Sequence, residues 1–266
     1  VQWELVTASV VIGREHLATA LPALADEGVR ALEVWMNSSS HFDATSAADV
    51  DELRTTMDAH GLWAYSTHAP FGEQLDISAL HEDARVGAVG AHRAAIHASR
   101  ALGAELIVVH PGTTAPSAGE RPARLRAVIE SVKALAAVAD RCGVRVAIEN
   151  MIPDALGGSA EDVAHIVDAV GAAHVGVCLD TGHAHLGEGV TNAAATLAER
   201  IIAIHLDDND GSSDQHILPS KGAIDWHAAA AALRELNYQA PICVESGRWE
   251  ELTIREMHEV VRIALA

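Results

Sequence analysis

Short apolar runs rich in β-branched residues alternate along this chain with longer stretches whose apolar positions recur at helical spacing. The first kind are LVTASVVI from residue 5, ALEVWM from 31, LWAYSTHA from 62 and ELIVVH from 105. RVAIEN from 145, VGVCLD from 175, IIAIHL from 201 and PICVES from 241 follow. Their length and near-continuous apolarity suit strands buried on both faces. Helices are predicted between them, near 15–27, 47–60, 81–102, 121–141, 160–170, 192–199, 226–236 and 253–265. Ser159 and Asp225 stand where N-caps belong, and Gly28, Gly61, Gly103 and Gly143 follow helices as stops. This alternation predicts one α/β domain over residues 1–266, folded as a single (β/α)8 barrel. The rival is a doubly wound open sheet. It would usually show a glycine-rich phosphate turn after the first strand, and none is present.

Barrels of this kind gather their chemistry at the C-terminal ends of the strands. From the third strand onward those ends read His68, His110, Glu149, Asp180, His205 and Glu245, all metal-competent residues. Residues two apart on a strand face the same side. Ser66, Val108, Ala147, Cys178, Ala203 and Cys243 should therefore form a layer of small and medium side chains beneath them. Three converging carboxylates, Glu149, Asp180 and Glu245, repel one another unless some take up protons or share a cation. Oxygen donors with one imidazole suit Mn, Mg, Co, Fe or Zn. Glu149, Asp180, His205 and Glu245 are accordingly the first-choice ligands. The bland alternative is a set of capped, hydrogen-bonded strand ends.

A second cluster lies in HLDDNDGSSDQHILPSKGAIDW from 205, where Asp214 and His216 form a ligand pair on a loop. With His68, His110 and His183 they are additional candidates for metal or substrate contact, and His183 is expected in the loop after the sixth strand. The other histidines, His41 and His92 among them, fall mostly on predicted helices or their ends and are expected at the surface.

Charge and cysteine content narrow the function classes. The formal net charge of −19 disfavours polyanions, so nucleic acid is an unlikely partner. The apolar runs are far too short to cross a membrane, and no signal-like N-terminus is visible. Cys142, Cys178 and Cys243 form neither a disulfide framework nor a CxxC site, so a reducing cytoplasm is expected.

The segments THAP (67–70), VHPG (109–112), IEN (148–150), LDTGH (179–183), HLDDNDG (205–211), DQH (214–216) and VES (244–246) resemble the xylose-isomerase-like TIM-barrel superfamily. That superfamily holds sugar isomerases and epimerases and the endonuclease-IV-type apurinic endonucleases. The resemblance implies two kinds of site. In the ketose epimerases one Mn-like ion is held at the positions matching Glu149, Asp180, His205 and Glu245. The two glutamates are also the acid/base pair there, and the position of His183 touches substrate. In the endonuclease type three zinc ions are held by the positions matching His68, His110, Glu149, Asp180, His183, His205, Asp214, His216 and Glu245, and this chain has a suitable residue at each. It departs from that type at Gln215, where the endonucleases carry Arg, and its surrounding loop is acidic.

The expected function is a metal-dependent isomerase or epimerase of a ketose or sugar-like polyol. One glutamate would remove a C–H proton and the other return it, through an enediolate. One divalent ion (Mn, Co, Mg or Fe) with three carboxylates leaves a net charge of about −1, which suits a neutral polyol. The alternative is a di- or trinuclear zinc phosphoesterase; with three ions and four carboxylates, Asp214 included, the net charge of about +2 would attract phosphate. His183 and Trp35 are candidate substrate contacts, Trp35 by stacking on a sugar face, and Lys221 is a candidate phosphate contact. A metal-dependent binding protein would keep the same ligands. Whether copies associate into a homo-oligomer is left open.

Overall fold

The computed structural model describes residues 3–13, 15–249 and 252–266. The strands are β1 (Leu5–Ala8), β2 (Ala31–Trp35), β3 (Trp63–His68), β4 (Leu106–Val109), β5 (Arg145–Glu149), β6 (Val175–Asp180), β7 (Ile201–Leu206) and β8 (Ile242–Val244). They pair in parallel with their sequence neighbours, and β8 closes on β1 to complete the barrel. Around it lie α1 (Leu17–Asp26), α2 (Ala47–His60), α3 (Glu82–Leu102), α4 (Arg121–Cys142), α5 (Ala160–Val170), α6 (Thr181–Leu186), α7 (Val190–Leu197), α8 (Trp226–Glu235) and α9 (Ile254–Ala264). The predicted (β/α)8 barrel is the observed one.

Strand alternation divides the apolar residues into two cores. Ile107, Val109, Val146 and Ile148 point outward and pack under the helices. Leu106, Val108, Ala147, Cys178, Ala203 and Cys243 point inward, where they fill the barrel with Val6, Ala8 and Tyr65. A layer of such modest volume plugs the cylinder beneath the strand ends and leaves room above it. Cys178 and Cys243 are packing residues, as expected.

Local chemistry sets the element boundaries. The Ser159 and Asp225 side chains accept the backbone N–H groups of Asp162 and Ala228. Gly61, Gly103 and Gly143 end their helices in the left-handed conformation.

Three expectations are corrected. The first strand stops at Ala8, and residues 9–12 form a 3-10 turn. There the Ser9 hydroxyl accepts the Trp35 N–H at 2.9 Å and lies 2.9 Å from His41 Nε2. The stretch after β6 is helix rather than loop, because Asp180 caps it. Finally, His41 and His92 are buried rather than superficial. Each offers Nδ1–H to a backbone carbonyl, His41 to Glu15 and His92 to Ala88, which lets a neutral ring sit in the core.

Burial lowers the His92 pKa from 6.5 to about 4, since the packed interior disfavours the imidazolium. The unfolded chain therefore binds this proton more tightly than the folded one. The stability held by neutral His92 is complete above pH 6.5 and is lost as pH falls towards 4, by about 3 kcal/mol. The difference in unfolding free energy between wild type and His92→Gln is expected to shrink by that amount over this range. Parallel pH profiles would contradict it.

Candidate metal centre

The barrel register brings the acidic strand ends together. Asp180 pairs with His205 across β6 and β7, and Glu149 ends the neighbouring strand β5. Glu149, Asp180, His205 and Glu245 each offer one donor atom, all within 4.8 Å of one another. All four are buried. Three carboxylates surround a single imidazole nitrogen. His205 Nδ1 lies 3.0 Å from Glu149 Oε1, 2.8 Å from Glu245 Oε2 and 3.9 Å from Asp180 Oδ2. One N–H can satisfy only one acceptor, so a hydrogen at this nitrogen would serve one carboxylate and leave the others facing it unpaired. Among the described residues, Asp180 Oδ2 and Glu245 Oε2 have no hydrogen-bond partner. Buried anionic oxygens without partners are costly unless a cation completes them.

The surrounding groups hold these donors in place. The Asn150 side chain braces Asp180 on both sides, accepting its N–H at 2.8 Å and donating to its carbonyl at 3.0 Å. Asp180 Oδ1 accepts the His183 N–H at 2.6 Å, so the strand-end carboxylate both faces the centre and starts α6. Gly182 lies so close to the Asp207 carboxylate that any Cβ there would overlap it.

Two flanking groups adjoin the central four. On one side His68 Nε2 and His110 Nε2 lie 3.2 and 3.0 Å from Glu149 Oε2. On the other, His183 Nε2 and His216 Nε2 each lie 3.3 Å from Asp214 Oδ2. His68, His183 and His216 donate Nδ1–H to the carbonyls of Ala69, Asn150 and Glu245. A neutral ring fixed in that way turns its Nε2 lone pair towards a carboxylate, an arrangement that a shared cation or an extra proton relieves.

The pKa directions follow from the same crowding. Burial resists ionisation of Glu149, but His205 and His110 outweigh it and hold the carboxyl well below its usual range. Burial, reinforced by Asp207, pushes Asp180 well above it. Burial also opposes charging of His183, yet Asp180 and Asp214 raise it well above the ordinary value. His216 is carried to about 11 against its burial, chiefly by Asp214.

Above the centre lies a cavity of about 340 Å³. Glu149, Glu245, His68, His110, His183 and the Asp214–His216 pair line it, with Trp35, Phe71, Met151 and Ile152 forming an apolar wall. Trp35 therefore borders the cavity, its ring 4.9 Å from that of His68. Lys221 is exposed and is absent from the lining.

Sequence reasoning assigned no role to Glu33, Asn150, Asp207 or Asp208. Glu33 and Asp207 are buried beside the predicted ligands, so five carboxyl groups rather than three meet there, and burial pushes that of Asp207 up to about 7. The only sequence signal for Glu33 was a lone acid inside the apolar run ALEVWM. Asp208 organises the loop that carries Asp214 and His216. Its two oxygens accept the backbone N–H groups of Asn209, Ser220, Gly222 and Ile224 and the Trp226 indole N–H. Its backbone pairs with Ile217, next to His216, which is held at a φ of +44°.

Fold and mouth together define a (β/α)8 barrel with a carboxylate–imidazole donor set at the C-terminal ends of its strands. Residues 21–263 match the xylose isomerase-like TIM barrel family, and the chain belongs to that family. Over 245 residues it is 24% identical to an uncharacterized protein of Methanocaldococcus jannaschii, covering 90% of this chain and 82% of that one. A stretch of 147 residues is 36% identical to a probable endonuclease 4 of Nitratidesulfovibrio vulgaris, covering 53% of this chain and 49% of the relative. Among solved structures, a D-tagatose 3-epimerase-like protein has the same fold, with a TM-score of 0.87 at 24% identity, covering 98% of this chain and 97% of that one.

Asp208→Asn would turn an amide N–H₂ towards donors that now share a carboxylate. A loss of about 2–4 kcal/mol is expected in denaturant unfolding, together with faster amide exchange across residues 209–217. Unchanged exchange there would mean the loop is held by other contacts.

Proposed function

We propose that this chain is a metal-dependent isomerase or epimerase of a small sugar or sugar-like polyol. The observation that carries the reading is the meeting of Glu149, Asp180, His205 and Glu245, with Glu149 and Glu245 lining the cavity. The unpartnered oxygens of Asp180 and Glu245 and the crowded His205 Nδ1 fit a divalent ion, so these four residues would hold Mn, Co, Mg or Fe. Bound there, the ion supplies Lewis acidity that makes the C–H beside a carbonyl easier to deprotonate.

The chain's own groups then do the proton work. Glu149 and Glu245 reach the centre from β5 and from the end of β8, and both line the cavity. One takes the proton from carbon, giving an enediolate, and the other returns it to the opposite face or to the neighbouring carbon. His183 orients a substrate oxygen, with its ring fixed by the Asn150 carbonyl. Trp35 and Phe71 cover the C–H face of the sugar and exclude water. A cavity of about 340 Å³ suits a monosaccharide rather than a polymer. The fold shared with a D-tagatose 3-epimerase-like protein supports the same class. The three free cysteines support placement in a reducing cytoplasm.

One observation favours a second reading. His68, His183 and His216 all turn Nε2 towards carboxylates while Nδ1 is tied to backbone carbonyls. With His110 and Asp214 they would complete a di- or trinuclear zinc centre, suited to hydrolysis of a small phosphoester. The stretch similar to a probable endonuclease 4 supports it. The net charge of −19 argues against DNA as its substrate.

Metal content of protein purified without added metal separates the two. About one ion of Mn, Co, Mg or Fe per chain is expected for the isomerase; about three zinc ions would favour the hydrolase. In the isomerase, incubation with ketoses in deuterated water should place deuterium at the carbon beside the carbonyl. Glu149→Gln should lower that exchange by about 10²–10⁴-fold while the thermal unfolding midpoint changes little. Full activity in this variant would remove Glu149 from the mechanism.

A further inference from the structure

Glu33 lies inside the barrel, 1% exposed, on the far side of His205 from the candidate ligands. The pairing of β2 with β3 shifts between Leu32 and Glu33, which sets Glu33 opposite Ser66. Its Oε2 accepts the Ser66 hydroxyl at 2.7 Å and lies 3.1 Å from His205 Nε2. A carboxylate can only accept, so a hydrogen bond there needs the hydrogen on Nε2. A neutral imidazole has one N–H. Wherever that proton is held, the other nitrogen is the one free to bind a cation.

Two sets of acceptors compete for the proton. Glu149 and Glu245 crowd Nδ1, at 3.0 and 2.8 Å. Left alone they would draw the hydrogen to Nδ1 and block that nitrogen. Glu33, fixed by Ser66, is the counterweight at Nε2. We propose that Glu33 is a positioning residue for the metal centre: by holding the Nε2 proton of His205 it leaves the Nδ1 lone pair directed at the space between Glu149, Asp180 and Glu245. This rests on the reading that those four residues hold a divalent ion. Glu33 does not touch the ion or the substrate; it acts through His205. The same contact explains why a carboxylate occupies a barrel interior otherwise filled by Val6, Val108, Ala147 and Cys178.

The test is titration of the metal-free full chain with Co²⁺, followed by its visible absorption, in wild type, Glu33→Leu, Glu33→Gln and Glu149→Gln. Nitrogen-15 spectra of the His205 ring accompany it. Glu33→Leu keeps the volume and removes the acceptor, so Co²⁺ affinity is expected to fall about 10–100-fold. Glu33→Gln keeps a neutral acceptor and should lose less. In cobalt-free Glu33→Leu the ring hydrogen should move to Nδ1, a change that loss of packing alone would not produce. Equal Co²⁺ affinity in wild type and Glu33→Leu, with binding lost in Glu149→Gln, would overturn the role of Glu33 and leave the metal centre standing. Failure of wild type to bind Co²⁺, Mn²⁺ or Zn²⁺ would instead remove the centre, and this role with it. Should Glu33→Leu not fold, the wild-type protein loaded with Zn²⁺ decides. Hydrogen on Nε2 with metal on Nδ1 supports the assignment, and the reverse overturns it.

Discussion

Buried carboxylates converging on one imidazole nitrogen repel each other, and the arrangement of the barrel mouth follows from the need to offset that repulsion. Water does little of it, because Glu149, Asp180, His205 and Glu245 are at most 1% exposed. Protons do part of it, as the raised pKa values of Asp180 and His216 indicate. Hydrogen bonds from Asn150 and from the start of α6 order Asp180 without neutralising it. What remains is a concentrated negative charge with unpartnered oxygens. Such a charge concentration favours a cation, and neutralising it by other means would need several protons.

The closed barrel makes this concentration possible because its strands cannot spread apart. The inward layer of Val108, Ala147, Cys178, Ala203 and Cys243 gives the mouth a solid floor. The rim is equally fixed, and on both sides by a buried aspartate. Asp208 gathers the 208–226 loop around its carboxylate. Asp76 accepts the Ser78 hydroxyl, the Thr114 hydroxyl and the Arg124 guanidinium, tying the loop after β3 to the loop after β4 and to α4. Phe71 and Thr113, which line the cavity, are carried by those two loops. Donors and wall are therefore held in place by polar clamps lying outside the cavity lining.

The histidines show how one residue type serves opposite ends. His41 and His92 bury a neutral ring by giving one hydrogen to a carbonyl, and their packing keeps them uncharged. His68, His183 and His216 make the same backbone contact, but their free nitrogen meets a carboxylate. In that setting the ring either gains a proton or shares a cation. The difference lies in what stands opposite the second nitrogen, which no helix propensity or strand pattern encodes.

The eightfold alternation of β-branched runs and helical stretches determined the barrel, because strand and helix periods are local properties of the chain. Parity within each strand determined the inward layer and the polar ends above it, so Glu149, Asp180, His205 and Glu245 were legible as a group. Residues acting through neighbours distant in sequence were not. Glu33 meets His205 only because β2 faces β7 across the barrel, 172 positions away in the chain. Asp207 and Asp208 look alike in HLDDNDG, yet one borders the candidate metal centre and the other clamps a loop. Helix α6 was too short to show a period, and its start is capped by the Asp180 side chain. His92 sits on a strongly helical segment, and its burial follows from how that helix packs on the barrel. Sequence pattern specifies which face of an element is apolar; tertiary packing alone decides which charged groups meet there, because electrostatic energy depends on separation in space rather than along the chain.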